Sequence, residues 1–507
     1  MSIDSIARLI AVGLAVAISG CSQLGSRQQT AAFYPARDGL APCAEFLRQA
    51  DAVVAAAGVG DAMAARVPGF PHLRASRFLA SHAGDALGPR ALDEWIDRLA
   101  RLGEEGHAVE VANLPAATQQ QLDAAAHTLT AQPSARTALA HCTGLLARAD
   151  KASPERIAAL REAVRVPDDY KTWQRVAGLY WLTRLPFAHG VRQWHARTQA
   201  VFDRPMHLLP VDGERVRFAP PPAAPVDDVA ALLARAASAS PLGIPDPQGA
   251  DRDALFRLFA PAFVVDVASA ADRPGALVWR GGDAPVVDPR GPATVYRRIS
   301  HTRFEGQVLL QLNYAIWFPE RPLEAAWDLL GGHLDAVLWR VTLTPGGKPF
   351  VYDSMHHCGC YHLFFPTARA RLKPQPVTLD ETAFVPQRLP ALDAGTPISL
   401  LLASHTHYLQ RVVVGSAAGL AAREASYAFA EDDTLRSLEA GPARRSAFRP
   451  DGIVPGTERG ERYLFWPMGV PEPGAMRQWG RHATAFVGRR HFDDANLFEK
   501  YFEMTDR

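Results

Sequence analysis

The chain has 507 residues, 48% of them hydrophobic and 21% charged, with 54 lysines and arginines against 53 aspartates and glutamates. That composition excludes a disordered chain, and the charge balance removes whole-chain attraction to nucleic acid or anionic lipid, so no nucleic-acid partner is expected. Five cysteines are too few for a disulfide-built scaffold, and the length fits two or three domains of about 150 residues each.

At the N-terminus, Arg8 precedes an apolar run from Leu9 to Ile18, followed by Ser19, Gly20 and Cys21. The run falls short of the roughly 20 residues that span a bilayer and matches a signal-peptide core. Ile18-Ser19-Gly20-Cys21 resembles the lipobox of bacterial lipoproteins. That resemblance implies removal of residues 1–20 and acylation of Cys21, with the membrane as partner through the lipid. Ser22, where Asp would signal retention at the inner membrane, implies the outer membrane, on its periplasmic or surface side. Residues 21–39 read as a tether. An exported chain works in an oxidising compartment, where cysteines pair.

Residues 40–204 carry helical periodicity. Leu92, Trp95, Ile96 and Leu99 form one apolar stripe. Ser153-Pro154 is a helix start, and Ile157, Leu160 and Val164 continue one face. Cys43 and Cys142 both sit at stripe positions, and a disulfide between them is expected. Prolines 205, 210, 220, 221, 222 and 225 mark residues 205–226 as a stiff connector. Asp227 or Asp228 then caps a helix over 229–239, and a short helix follows near 253–259.

Beyond Pro261 the texture is that of strands. Val308–Phe318 is rich in β-branched and aromatic residues. In 336–343, Val337, Trp339, Val341 and Leu343 alternate onto one face, and Pro345-Gly346-Gly347-Lys348 turns the chain into 350–352, which predicts a hairpin over 336–353. Residues 398–414 supply one or two further strands. The expected class is α+β: a helical N-terminal domain, then a mostly antiparallel β-rich domain over 227–430, with residues 431–507 as an extension packed on it.

Five of the seven residues in His356-His357-Cys358-Gly359-Cys360-Tyr361-His362 are His or Cys, in a chain with 17 histidines and five cysteines. Imidazole and thiolate are ligands for zinc and copper. In an extended segment His356, Cys358, Cys360 and His362 would share a face, and so would His405 and His407 in the 398–414 strand. Four readings stay open. The two segments converge on zinc, or on copper, with Asp353 or Asp335 as base if a coordination position stays open and the site is hydrolytic. Cys358 and Cys360 form a strained disulfide or a redox dithiol. They are simply buried residues. Or Cys358 is a nucleophile activated by His405 or His407, with Asp353 or Asp335 orienting the ring.

Gly331-Gly332-His333-Leu334-Asp335 reads as a turn before a strand. Residues 476–482 and 489–494 mix arginines with aromatics, as an anion site or as an Arg–Asp network would. No HExxH, GxSxG, P-loop or GxGxxG motif is present. The strings VLLQLNYAIWFPERP, VYDSMHHCGCYHLFF and GAMRQWGRHATAFVGRRHFDD are similar to bacterial lipoproteins of uncharacterised function, over about the last 250 residues. That resemblance implies an envelope location and no more. The expected function is a lipid-anchored envelope protein that binds a metal through the His/Cys cluster. The alternative is a non-enzymatic structural or interaction lipoprotein.

Overall fold

The structure is a computed structural model that describes residue 34 and residues 39–223, 226–288, 290–325, 327–415 and 419–505. Residues 1–20 and Cys21 lie outside them, as does the 21–39 tether apart from Tyr34 and Gly39.

Helices α1 (Leu40–Ala57), α2 (Pro89–Ala112), α3 (Ala116–Thr130), α4 (Ala135–Lys151) and α5 (Pro154–Ala163) form the N-terminal layer. The α2 stripe folds as its spacing requires: Trp95, Ile96 and Leu99 are fully buried, and Leu92 packs at the edge of the same cluster. Ser153 caps α5 by accepting from the Arg156 amide, with Pro154 in the first helical position. Cys43 of α1 and Cys142 of α4 are joined by a disulfide across 99 residues. The layer also holds a hairpin that helical periodicity did not foresee, β1 (Ala65–Val67) with β2 (Phe70–Ala75). Helix α2 lies against β2 so closely that a Cβ on Gly103 would stand 2.0 Å from the His72 carbonyl oxygen. Glycine in a helix interior costs about 0.5–1 kcal/mol relative to Ala; here the close approach requires it.

After helix α6 (Tyr180–Asp203) the chain enters a ten-stranded sheet. Its strands are β3 (Glu214–Ala219), β4 (Ala262–Val267), β5 (Ala293–Phe304), β6 (Gln307–Arg321), β7 (Gly332–Leu343), β8 (Pro349–His356), β9 (Leu363–Pro366), β10 (Ile398–Leu402), β11 (Leu409–Val414) and β12 (Arg423–Glu431). Their order is β9-β8-β7-β6-β5-β12-β3-β4-β10-β11. The β5 to β9 half is antiparallel throughout. Elsewhere β12 runs parallel to both neighbours and β10 parallel to β4. The sheet is therefore mixed: six of its nine neighbouring pairs are antiparallel and three parallel, so the mostly antiparallel expectation fits in part. Strands β10 and β12 are not placed by hairpins from the strands they parallel, and only such crossover connections permit parallel pairing.

The proline-rich 205–226 stretch is also more than a connector. Its prolines flank a strand, β3, in which Val216 and Phe218 are buried in the main core. Helix α7 (Val229–Ser238) starts where expected, with Asp228 accepting from the Ala231 amide, and α8 (Gly249–Leu258) follows. The tight turn between β5 and β6 uses Glu305 and Gly306, both at positive φ (48° and 76°), as two-residue hairpins demand.

The β7–β8 hairpin has the predicted alternation. Val337, Trp339, Val341 and Leu343 join Phe256 of α8 and Leu232 of α7 in the main core. On the opposite face Leu338 and Met355 meet Phe448, Met476 and Phe492 of the C-terminal segment. The arginines of that segment are structural: Arg481 pairs with Asp169, Arg489 with Asp168, and Arg477 donates to the Cys358 carbonyl. No described helix is long and apolar enough to cross a membrane.

The 99-residue covalent loop sets a measurable contribution. In the chain-entropy account, closing about 100 residues stabilises by roughly 4–5 kcal/mol. The Cys43→Ala/Cys142→Ala double variant should lose that amount, seen as a lower denaturant midpoint, with a steeper slope because the unfolded chain is no longer crosslinked.

Candidate functional site

The 356–362 segment is not extended. Strand β8 ends at His356 and β9 begins at Leu363, so the residues between form the turn of a hairpin. The His356 amide donates to the Cys360 carbonyl at 3.0 Å and the Gly359 amide to the His356 carbonyl at 2.8 Å. Gly359 (φ 90°) and Tyr361 (φ 61°) take left-handed conformations. A Cβ on Gly359 would lie 2.3 Å from the Ala483 carbonyl oxygen, so only glycine fits. His405 and His407 are likewise in the turn between β10 and β11, both at positive φ (56° and 51°). The alternation that would have aligned these side chains exists only in strands, and neither set shares a face in the way expected.

The side chains instead divide among separate partners. Asp335, 2% exposed on β7, lies between two rings: its Oδ1 is 3.2 Å from His356 Nδ1 and its Oδ2 is 2.8 Å from His407 Nδ1. His407 Nε2 is 3.5 Å from Asp272 Oδ1, at ion-pair distance, and the ring stacks on Phe318 at 3.9 Å. His405 contributes its amide, which donates to Asp272 Oδ1. Asp353, fully buried on β8, receives a two-pronged guanidinium from Arg340 (2.9 and 2.6 Å) and His362 Nε2–H at 2.8 Å. The six expected ligands His356, Cys358, Cys360, His362, His405 and His407 thus do not gather on one centre. Asp335 and Asp353 are paired anchors rather than bases beside a metal.

Burial opposes ionisation of both carboxylates, and their partners outweigh it. His356 and His407 hold Asp335 well below the usual carboxylate range; Arg340 and His362 lower Asp353. For His407, burial favours the neutral ring, but Asp272 and Asp335 prevail and raise its pKa. Burial brings His362 down to about 4, so near neutrality it carries one proton, on the nitrogen facing Asp353. His362 Nδ1 is then an acceptor, buried and without a partner.

The turn forms part of the wall of a cavity of about 510 Å³. Phe187, Val191 and Trp194 of α6 line it together with Phe465 and Phe486, and Cys358, Gly359, Cys360, Tyr361 and His362 of the turn line it as well. Cys358 and Cys360 are reduced and buried. The Cys360 amide donates to Cys358 Sγ at 3.3 Å, a donor placed where negative charge on that sulfur would be stabilised. The Cys358 thiol, hydrogen-bonded to it, and then burial push the Cys360 pKa well above the ordinary thiol value. Glu461, also in the wall and 5% exposed, is raised by burial to about 7, against the pull of Arg459 and Arg321. Nothing in the sequence around Glu461 signals this role.

A second cluster lies in the helical layer. One ligand atom each from Asp51, His107 and Glu110 falls within 4.8 Å of the others, the one such group among the described residues. It could hold a metal ion. Arg66 pairs with Asp51 and Glu110, and Arg74 with Glu110, so the carboxylates are already neutralised. Burial and then Arg74 lower His107 to about 3, which leaves a neutral ring suited to ligation. His107 and Glu110 are three apart on α2, the only trace of the group in the sequence.

No family model matches the chain, and searches of curated proteins and of solved structures return no match.

The raised pKa of His407 fixes a pH dependence. A cation stabilised by folding contributes fully below the unfolded value of 6.5 and is lost as pH rises through the higher folded value. His407→Gln should therefore destabilise by roughly 3 kcal/mol near pH 6, with the deficit shrinking in alkaline buffer. Urea midpoints of both proteins between about pH 5 and pH 9, where Asp272 and Asp335 stay ionised, read this directly.

Proposed function

We propose that the chain is an envelope protein, acylated at Cys21 and held at the outer membrane, in which Cys358 and Cys360 perform thiol–disulfide exchange on a molecule bound in the apolar cavity. One observation carries this reading: Cys358 and Cys360, both reduced and one residue apart in a tight turn, line the same cavity, with the Cys360 amide donating to Cys358 Sγ. The Cys43–Cys142 bond supports an oxidising compartment. The apolar 9–18 run and the Ile18-Ser19-Gly20-Cys21 junction support the anchor.

In the exchange, Cys358 loses its proton to solvent as its sulfur attacks a disulfide R–S–S–R, releasing one R–S⁻, which takes a proton. Cys360 then gives up its own proton as its sulfur attacks Cys358 in the mixed disulfide, and the second thiolate leaves protonated. Two electrons pass from the dithiol to the substrate, giving a Cys358–Cys360 disulfide and two RSH. The three-residue ring is strained and therefore readily reduced again.

Dipyridyl disulfide, an apolar oxidant that reports its released thione by colour, tests this. The native chain should release two thiones and close the Cys358–Cys360 bond. Cys360→Ser should stop at one, with pyridyl sulfide retained on Cys358 in the intact mass, and Cys358→Ser should react at least about tenfold more slowly. Thiols that stay free, or two single variants that react alike, overturn the reading.

The Asp51/His107/Glu110 geometry favours a second, separate reading: zinc in the helical layer, since one imidazole with two carboxylates suits it better than copper. Elemental analysis should find about one zinc per chain, lost in His107→Gln. Absence of zinc from native protein dialysed against it would leave the group as an Arg–carboxylate network.

A further inference from the structure

All but three of the large apolar side chains exposed among the described residues lie in three segments: 173–185, 323–329 and 463–464; the exceptions are Leu208, Val211 and Val377. The three segments adjoin. The Lys171 amide donates to the Gly469 carbonyl at 2.7 Å and Arg175 Nε to the Met468 carbonyl at 2.8 Å. Phe187 meets Phe465 edge-on at 5.3 Å, and the Glu461 amide donates to the Leu329 carbonyl at 3.0 Å. The same segments continue inward as cavity wall, through Phe187, Leu330 and Phe465. The exposed residues therefore rim the cavity.

The rim is aromatic, with Trp173 66%, Trp181 69% and Trp327 83% exposed. A tryptophan pays a solvation cost in water that it does not pay at a lipid headgroup boundary, where its apolar ring and its N–H are both satisfied. Along α6, Trp181, Leu185, His189 and Arg192 recur at four, four and three residues and are all exposed, one stripe of the helix. The near-zero charge of the whole chain hides a local excess along 171–202, although the 323–329 part of the rim carries Glu324 and Asp328. Residues 171–202 contain Lys171, Arg175, Arg184, Arg192 and Arg197 and no aspartate or glutamate. Exposed tryptophans and leucines beside arginines are the chemistry that an anionic headgroup layer accepts from a protein rim.

We infer that this rim docks on an anionic phospholipid bilayer, with the tryptophans in the headgroup layer and the cavity mouth open toward the lipid. The inference does not rest on the thiol exchange, and it assigns a surface separate from the acyl anchor.

The test removes the anchor from both arms. Mature-length Cys21→Ser protein, beginning at residue 21 and so without the apolar 9–18 run, is compared with Cys21→Ser/Trp173→Ala/Trp181→Ala of the same length by co-sedimentation with phosphatidylcholine vesicles, with and without phosphatidylglycerol. The substituted side chains are exposed, so circular dichroism should be unchanged. Expected is binding by the first protein that strengthens with phosphatidylglycerol, and a loss of about tenfold or more in the second. Arg192→Glu/Arg197→Glu in the Cys21→Ser background should reduce only the phosphatidylglycerol-dependent part. Equal vesicle binding with and without the tryptophans overturns the inference. So does a fall in molecular mass of the unbound protein on their removal, which would make the rim a contact between copies of the chain.

Discussion

Two buried carboxylates on neighbouring strands hold the turn that carries both free thiols. Asp335 on β7 holds the imidazole of His356, and Asp353 on β8 holds that of His362. These are the first and last residues of the turn that carries both thiols. Of the two left-handed residues between them, Gly359 adopts that conformation freely, whereas Tyr361 does so at a cost of about 1–3 kcal/mol. Clamped at both ends to charges that cannot leave the sheet, the turn has one conformation available. Removing either partner would strand a charge in the core, which costs far more than an unmade surface pair.

The clamp also separates two environments. Behind the turn lie Asp335, His407, Asp272, Asp353 and Arg340, all ion-paired. In front lies a cavity with Phe187, Trp194, Phe465 and Phe486 in its wall. Tyr361 and Tyr408, whose rings meet at 4.7 Å, stand at the boundary, and Arg321 donates to the Tyr408 hydroxyl. Burial drives Glu461, in the cavity wall, toward neutrality, while Asp335 and Asp353 stay charged. A carboxyl raised to about 7 in the wall of a low-dielectric cavity can exchange a proton with a bound molecule near neutral pH.

Much of this was legible wherever a local rule was also the global one. The α2 stripe, the Ser153-Pro154 start, the Asp228 cap and the β7–β8 hairpin each follow from a spacing that tertiary contacts reinforce. The Cys43–Cys142 pair was readable because two stripe cysteines face the same core. The His/Cys site misled for a related reason. Counting alternate residues presupposes a strand, and nothing adjacent to Gly359 or His405 announces positive φ at Tyr361, His405 and His407. Strand β3 was hidden by prolines that bracket it without interrupting it. Glu461 and the Asp51/His107/Glu110 group join residues brought together only by the completed fold, so no window of sequence contains them.

The two sulfur pairs differ in span as well as in state. Cys43 and Cys142 are 99 residues apart in the N-terminal layer, whereas Cys358 and Cys360 are separated by one glycine more than 200 positions later. Four sulfurs admit three pairings, two of them wrong. In a chain that emerges N-terminus first, the long-range bond can close before the later thiols have appeared, and the helical layer then removes its sulfurs from reach. Order of emergence thereby protects the later pair from crosslinking to the earlier one, without any residue dedicated to that purpose.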